Sequence, residues 1–237
     1  MVPLLIAIVA AASALMAARN HRRRRFPARA VIVSPRKSTS VSHDGAVESV
    51  QSAELTMSSA DLERLWNPTN LENLARTYWR FLSRVTLGLI RIAYTDTARS
   101  VMFIGRPLTL LRFDAPEYAI ERDHGGVRWW IRDGLLVARA GRGRGYLSLD
   151  VHRLDSSTGN GDGSATLRIE VAVSNFYPSI AAGFSTPVYE ATQSAIHVLV
   201  THGFLRSLAT LELAESRVRS LAPQPEPESA GEASSQP

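Results

Sequence analysis

The spacing of apolar residues changes character twice along the chain. Between Leu71 and Ile92 they recur at three- and four-residue steps (Leu71, Leu74, Tyr78, Phe81, Leu82, Val85, Leu89, Ile92), while Arg76, Arg80, Arg84 and Arg91 fall on another face. That stripe predicts one long helix from about Pro68 to about Tyr94. Gly88 within it costs about 1 kcal/mol relative to Ala, so a strand after Val85 is the alternative. A turn or two of helix is expected over Asp61–Trp66, broken at Asn67-Pro68. From Val101 the period falls to two, and strands are expected near Val101–Ile104, Leu108–Phe113, Glu117–Arg122, Val127–Arg132, Leu135–Ala140, Tyr146–Leu154 and Thr166–Ser174. The joins carry turn residues, among them Asp114-Ala-Pro116, Asp133-Gly134 and Gly141-Arg-Gly-Arg-Gly145. Short joins between consecutive strands mean an antiparallel meander. Leu147, Leu149 and Val151 then share a core face with Leu167, Ile169, Val171 and Val173. Ser148, Asp150 and His152 oppose Arg168 and Glu170 on the outer face.

After the strands the pattern changes again. Thr186 can cap a helix, Pro187 suits its first position, and apolar residues then occupy nearly every side as far as Leu213. An all-round apolar helix is a buried one, and only the strands can wrap it. The expected fold class is α+β: an antiparallel meander of about six or seven strands curled around a long apolar C-terminal helix, with a long N-terminal helix. The domain is expected over 57–221, and a Pro-, Glu- and Ser-rich disordered tail over 222–237.

The N-terminal 56 residues change the picture of charge. They hold eight basic residues against three acids, whereas residues 57–237 hold nineteen of each. The net charge of +5 therefore belongs to the first segment, and the domain shows no global nucleic-acid signature. Val2–Ala18 is uncharged and mostly apolar, and Arg19, His21 and Arg22–Arg25 follow it. Three readings compete. Residues 1–18 are a single membrane anchor with the domain in the cytoplasm; or the segment is a cleaved targeting peptide, acid-free and Arg- and Ser-rich; or the natural chain starts at Met57, where Met57-Ser-Ser-Ala-Asp resembles a capped helix. Under the last two the domain is free of this anchor, and a chain starting at Met57 is expected in the cytoplasm. Residues 26–56 show no sustained period and read as linker. The chain has no cysteine, which excludes disulfides, thiolate nucleophiles and Cys-ligated metals.

Candidate chemistry is sparse. Glu190, Ser194, His197 and Thr201 form one polar stripe on the last helix. It reads as a catalytic set, as a solvent-facing strip or as polar anchors in a cavity. Triads are assembled from separate elements, which weighs against catalysis from one regular helix. His202 lies on the opposite side and reads as a satisfied core histidine. Gly141–Gly145 lacks the following helix of a dinucleotide fingerprint and reads as a flexible hairpin loop. Trp129 and Trp130 point to opposite faces, with Trp130 between Arg128 and Arg132. No metal or cofactor site is expected.

Early helices, a long meander and one apolar C-terminal helix together resemble the helix-grip fold of START-like lipid-binding and polyketide cyclase proteins, over roughly residues 69–215. The resemblance is one of layout and carries no functional residue. It departs from those folds in lacking a convincing strand before Pro68. It implies a hydrophobic small-molecule pocket. Tyr189, Gln193, Ile196, Val200 and Phe204 share a helix face and are expected to line it, with Gln193 as polar anchor, Trp129 as the sheet wall and the mouth near Phe176–Pro187. The competing expectation is that these side chains simply fill a core. Three functions stay open: a non-catalytic binder of an apolar small molecule or lipid; a cyclase- or hydrolase-type enzyme using Glu190, Ser194 and His197; and a membrane-tethered interaction module whose Arg stripe meets an acidic partner.

Overall fold

The computed structural model describes residues 26–33, 39–104, 108–154, 163–179 and 195–215. Its strands are β1 (Arg29–Ile32), β2 (Thr39–Val41), β3 (Val47–Ser58), β4 (Ile90–Tyr94), β5 (Ala98–Phe103), β6 (Leu108–Asp114), β7 (Glu117–Ile120), β8 (His124–Asp133), β9 (Tyr146–Leu154) and β10 (Ser164–Phe176). The helices are α1 (Ser59–Leu65), α2 (Pro68–Val85) and α3 (Ala195–Ser207). The strands form one antiparallel sheet in the order β1-β3-β10-β9-β8-β6-β5-β4, with β2 beside β3 and β7 beside β8. Ten strands replace the expected six or seven.

The largest departure from expectation is the N-terminal segment. Residues 26–56, read as linker, supply β1, β2 and most of β3, and β3 is an interior strand paired with β1 on one side and β10 on the other. Its inward positions are Ser49, Gln51, Ala53, Leu55 and Met57, all buried. The first two are polar, so the alternation is invisible to a hydropathy reading. Met57, the alternative start, lies within this strand and in the core. β3 is also the strand before the helices that helix-grip folds possess.

α1 begins as its sequence suggests: the Ser58 hydroxyl accepts from the Asp61 amide at 3.1 Å. Asn67 caps α2 by accepting from the Asn70 amide at 2.9 Å, and Pro68 sits in the first turn. α2 does not continue to Tyr94. It stops after Val85 because Leu87 and Gly88 both take left-handed backbone, with φ of 54° and 80°, and the chain reverses into β4. Expected Leu135–Ala140 is likewise no strand. It holds a single bridge, Val137 to Pro178, and a 3-10 turn at Arg139–Gly141.

Among the described residues the C-terminal helix is short rather than long. α3 spans 13 residues, gives way to a 3-10 turn at Leu208–Thr210, and ends where Leu211 becomes left-handed at φ 55°. The expected cap at Thr186 lies outside the described residues. α2 and α3 pack together, with α3 against β1 and β3 and α2 against β4 and β8. At their crossing Gly203 brings α3 close to Phe81; a Cβ there would stand 3.0 Å from the ring. The core face of β9 and β10 is as expected, with Leu147, Leu149, Val151, Leu167, Ile169 and Val171 buried. Among the described residues no helix is long and apolar enough to cross a membrane. Residues 1–18, on which the anchor reading rests, lie outside them.

Candidate functional site

Three sets of side chains decide what this fold can hold. The first is an aromatic cluster where α2 and α3 meet the sheet. Trp79 packs edge-on against Tyr78 and Trp129, with centroids 5.2 Å apart in each pair, and against Phe113 at 5.3 Å. Phe204 meets Tyr78 at 5.1 Å and Phe81 at 6.0 Å. Such pairs each add about 0.5–1.5 kcal/mol beyond their buried area. Trp129 and Phe204, expected as pocket walls, are therefore filling for a closed core, at 1% and 0% exposure. Val200 is buried against Val85 in a smaller cluster. Val200 and Phe204 both turn toward α2, where Val85, Tyr78 and Phe81 meet them.

Tyr189, Glu190, Gln193 and Ser194 lie outside the described residues, as do the side chains of Ile196 and His197 in the first turn of α3. Thr201, the last member of the polar stripe, is fully buried, so the stripe does not run to solvent at that end. His202 is a satisfied histidine: its Nε2 lies 2.8 Å from Oε1 of buried Gln51. Burial and then the Arg206 charge hold its pKa below the ordinary value, which keeps it neutral as a core partner.

The second set lines an apolar cavity of about 150 Å³ beside the first half of α2. β3 contributes Leu55 and Met57, α1 contributes Leu62 and Leu65, and α2 contributes Leu71 and Leu74. The sheet floor is Val151, Leu167 and Ile169. Leu208, Leu211 and Leu213 close it from the segment after α3, which is strapped down where the Ala214 amide donates to the Thr77 hydroxyl at 2.8 Å. The rim is the α1–α2 elbow, Trp66 to Pro68 with Asn70, facing Ile120 and Gly125 of the β7–β8 hairpin. Arg153 locks this elbow: it pairs with Glu63 of α1, lies 5.4 Å from the Trp66 ring, and its amide donates to the Asp123 carbonyl at 2.9 Å. Of the expected ligand residues whose side chains are described, Trp129, Val200 and Phe204, none is among the lining of this space. Leu55 and Met57 were hidden with β3, but Leu62, Leu71 and Leu74 carried a signal: they form the apolar stripe running from α1 into α2.

The third set is a polar recess of about 20 Å³ on the other flank of α2, lined by Glu72, Arg76, Trp79, Tyr94, Arg99 and Tyr118 among others. Glu72 and Arg99 are buried, and Arg76 lies 4.3 Å over the Tyr94 ring. Burial first, then the Glu72 charge, pushes the Tyr118 phenol well above its ordinary pKa, so it stays protonated. The space suits one water molecule. On the outer sheet face the expected charge ladder is present and wider than two strands, with Arg168 on Glu54 at 2.9 Å and His124 stacked on His152 at 4.5 Å. Trp130 turns outward as expected, donating to Glu117 at 3.0 Å, with Arg128 5.7 Å from its ring.

The glycine loop Gly141–Gly145 is a docking point, not a slack hairpin. A Cβ on Gly141 would stand 2.3 Å from the Tyr177 Cβ, and one on Gly145 2.6 Å from the Asn175 carbonyl oxygen. Arg144 lies 4.7 Å over the Tyr177 ring, whose hydroxyl donates to Asp44 at 2.5 Å.

No protein-family model matches the sequence, and no curated protein does. Among solved structures the chain is similar to Ara h 8.0201, at 14% identity over 65% of this chain and 97% of that one, with a TM-score of 0.26. It is similar to human STARD10 at 9% identity, over 80% and 71% of the two chains, with a TM-score of 0.31. For norcoclaurine synthase from Thalictrum flavum the identity is 15%, over 73% and 96%, with a TM-score of 0.29. In the chain's own element order, a strand, two helices, a meander and a C-terminal helix, the layout resembles the helix-grip fold.

Proposed function

We propose that this protein is a non-catalytic binder of an apolar small molecule or lipid, held in the cavity between α1, the first half of α2 and the β3/β9/β10 floor. The observation that carries this reading is the cavity itself, about 150 Å³ walled by leucine, isoleucine, valine and methionine. Apolar space of this kind stays dry and costs packing energy when empty, about 24 cal/mol per Å³ in core-truncation series. A ligand restores the lost contacts. The elbow at Asn67-Pro68 gives the cavity a mouth, and the Arg153 contacts hold it in register.

A methyl-resolved NMR titration of the full chain with p-xylene, oleate and cholesterol tests the reading. Saturable shifts are expected at Leu62, Leu71 and Leu167 for at least one of the three. If none moves those methyls, the binder reading fails.

A further inference from the structure

Resting on that reading, we propose that the ligand is a neutral, compact hydrocarbon, about one substituted ring in size, and that carboxylates, long acyl chains and sterols are excluded. The first support is the polar inventory of the wall. Among the described lining residues none is charged, and the side-chain polar groups are the amides of Asn67 and Asn70 and the indole N–H of Trp66, all at the rim.

Both amides are already committed to the α1–α2 elbow. Asn67 Oδ1 accepts from the Asn70 amide and its Nδ2 donates to the Arg64 carbonyl at 3.1 Å. Asn70 Oδ1 accepts from Asn73 Nδ2 at 3.3 Å, and its own Nδ2 points to the Arg64 carbonyl at 3.5 Å. The guanidinium beside the rim, Arg153, is held by Glu63 and spread over Trp66. A ligand carboxylate would lose its hydration and meet no cationic partner on the described wall, only the neutral N–H groups of the rim, which is the costly case for a buried charge.

The second support is size. A cavity of about 150 Å³ accommodates benzene or xenon in an engineered core, and typical drug-sized sites start at about 300 Å³. The space here is about 150 Å³. Leu208, Leu211 and Leu213 line it from the segment after α3.

The same titration, extended to 4-methylbenzoate, separates the two claims. p-Xylene and 4-methylbenzoate share a ring and differ by one methyl turned into a carboxylate. The expected result is saturable p-xylene binding at Leu62 and Leu71, binding of 4-methylbenzoate at least about 100-fold weaker, and no displacement of p-xylene by oleate or cholesterol. If oleate, cholesterol or 4-methylbenzoate binds as tightly as p-xylene or displaces it, the neutral-hydrocarbon assignment is overturned while the binder reading stands. If none of the four binds, both fall together.

Discussion

Tyr177 shows how much one residue organises at the end of the sheet away from the cavity. Its hydroxyl donates to Asp44, its ring carries Arg144, and its Cβ stands where any side chain on Gly141 would have to go. Because that neighbour is close to the backbone, Tyr177 cannot swing aside, and Gly141→Ala is expected to cost about 1–3 kcal/mol of stability, as overpacking does. Urea unfolding of the variant measures it; a loss under about 0.5 kcal/mol, the scale of an ordinary surface change, would show that the loop yields. The Asp44 bond also sets a pH dependence. The Tyr177 hydrogen bond, and then the Ala46 amide, hold the Asp44 carboxyl below its ordinary 3.8, while Asp44 holds the Tyr177 phenol above its ordinary 10.0. The carboxylate contribution is complete above 3.8 and fades as pH falls through the lowered native value. The phenol contribution is complete below 10.0 and fades as pH rises through the raised one. Tyr177→Phe should therefore differ from the parent by a constant amount in denaturation between those limits and converge with it outside them. A difference that grows on acidification would refute the assignment.

At the scale of elements, β3 is the test of the N-terminal boundary. It pairs with β10 from Ser58 opposite Ser164 to Ser49 opposite Val173, and with β1 on its other edge. A chain shortened to begin at Met57 loses β1, β2 and most of β3, leaving β10 an open edge and uncovering Leu167, Ile169 and Val171. Its near-ultraviolet circular dichroism should collapse and it should aggregate, whereas a chain beginning at residue 26 should keep the native signal; equal spectra would mean that β3 is dispensable. The meander was legible because Leu147 to Val151 and Leu167 to Val173 alternate cleanly over a core. β3 was not, because Gln51 faces inward to meet His202, a partner 151 positions away that no local pattern announces. The end of α2 was only half legible for a similar reason: Leu87 in left-handed backbone is a conformation that its residue type does not favour. The cavity escaped because the sequence shows which residues are apolar, not which pair of apolar surfaces fails to meet. Tyr78, Trp79 and Phe204 fill the space that the helix face alone appeared to leave open.

For the molecule as a whole, charge and shape point the same way. The Arg168–Glu54 ion pair sits on the outer face of the sheet, the described residues of the cavity wall are uncharged, and the buried Glu72 and Arg99 stand on the far flank of α2 from it. Nothing in the cavity therefore calls for a counter-ion, which is why the ligand assignment can be decided by swapping a methyl for a carboxylate. The pairing of β3 with β10 has a further consequence, in time rather than in space. Ser58 and Ser164 lie side by side in the finished sheet, yet the ribosome makes one long before the other. At about 5–20 residues per second, β3 waits several seconds or more for the strand that completes it, with one edge and its apolar end at Leu55 and Met57 uncovered. During that interval β3 has only β1 and β2, both along its other edge, to pair with among the described strands made before it, and a sheet two strands wide is marginal in water. The last strand of the meander is thus the step that commits the whole chain, and the protein is most exposed to mispairing just before it arrives.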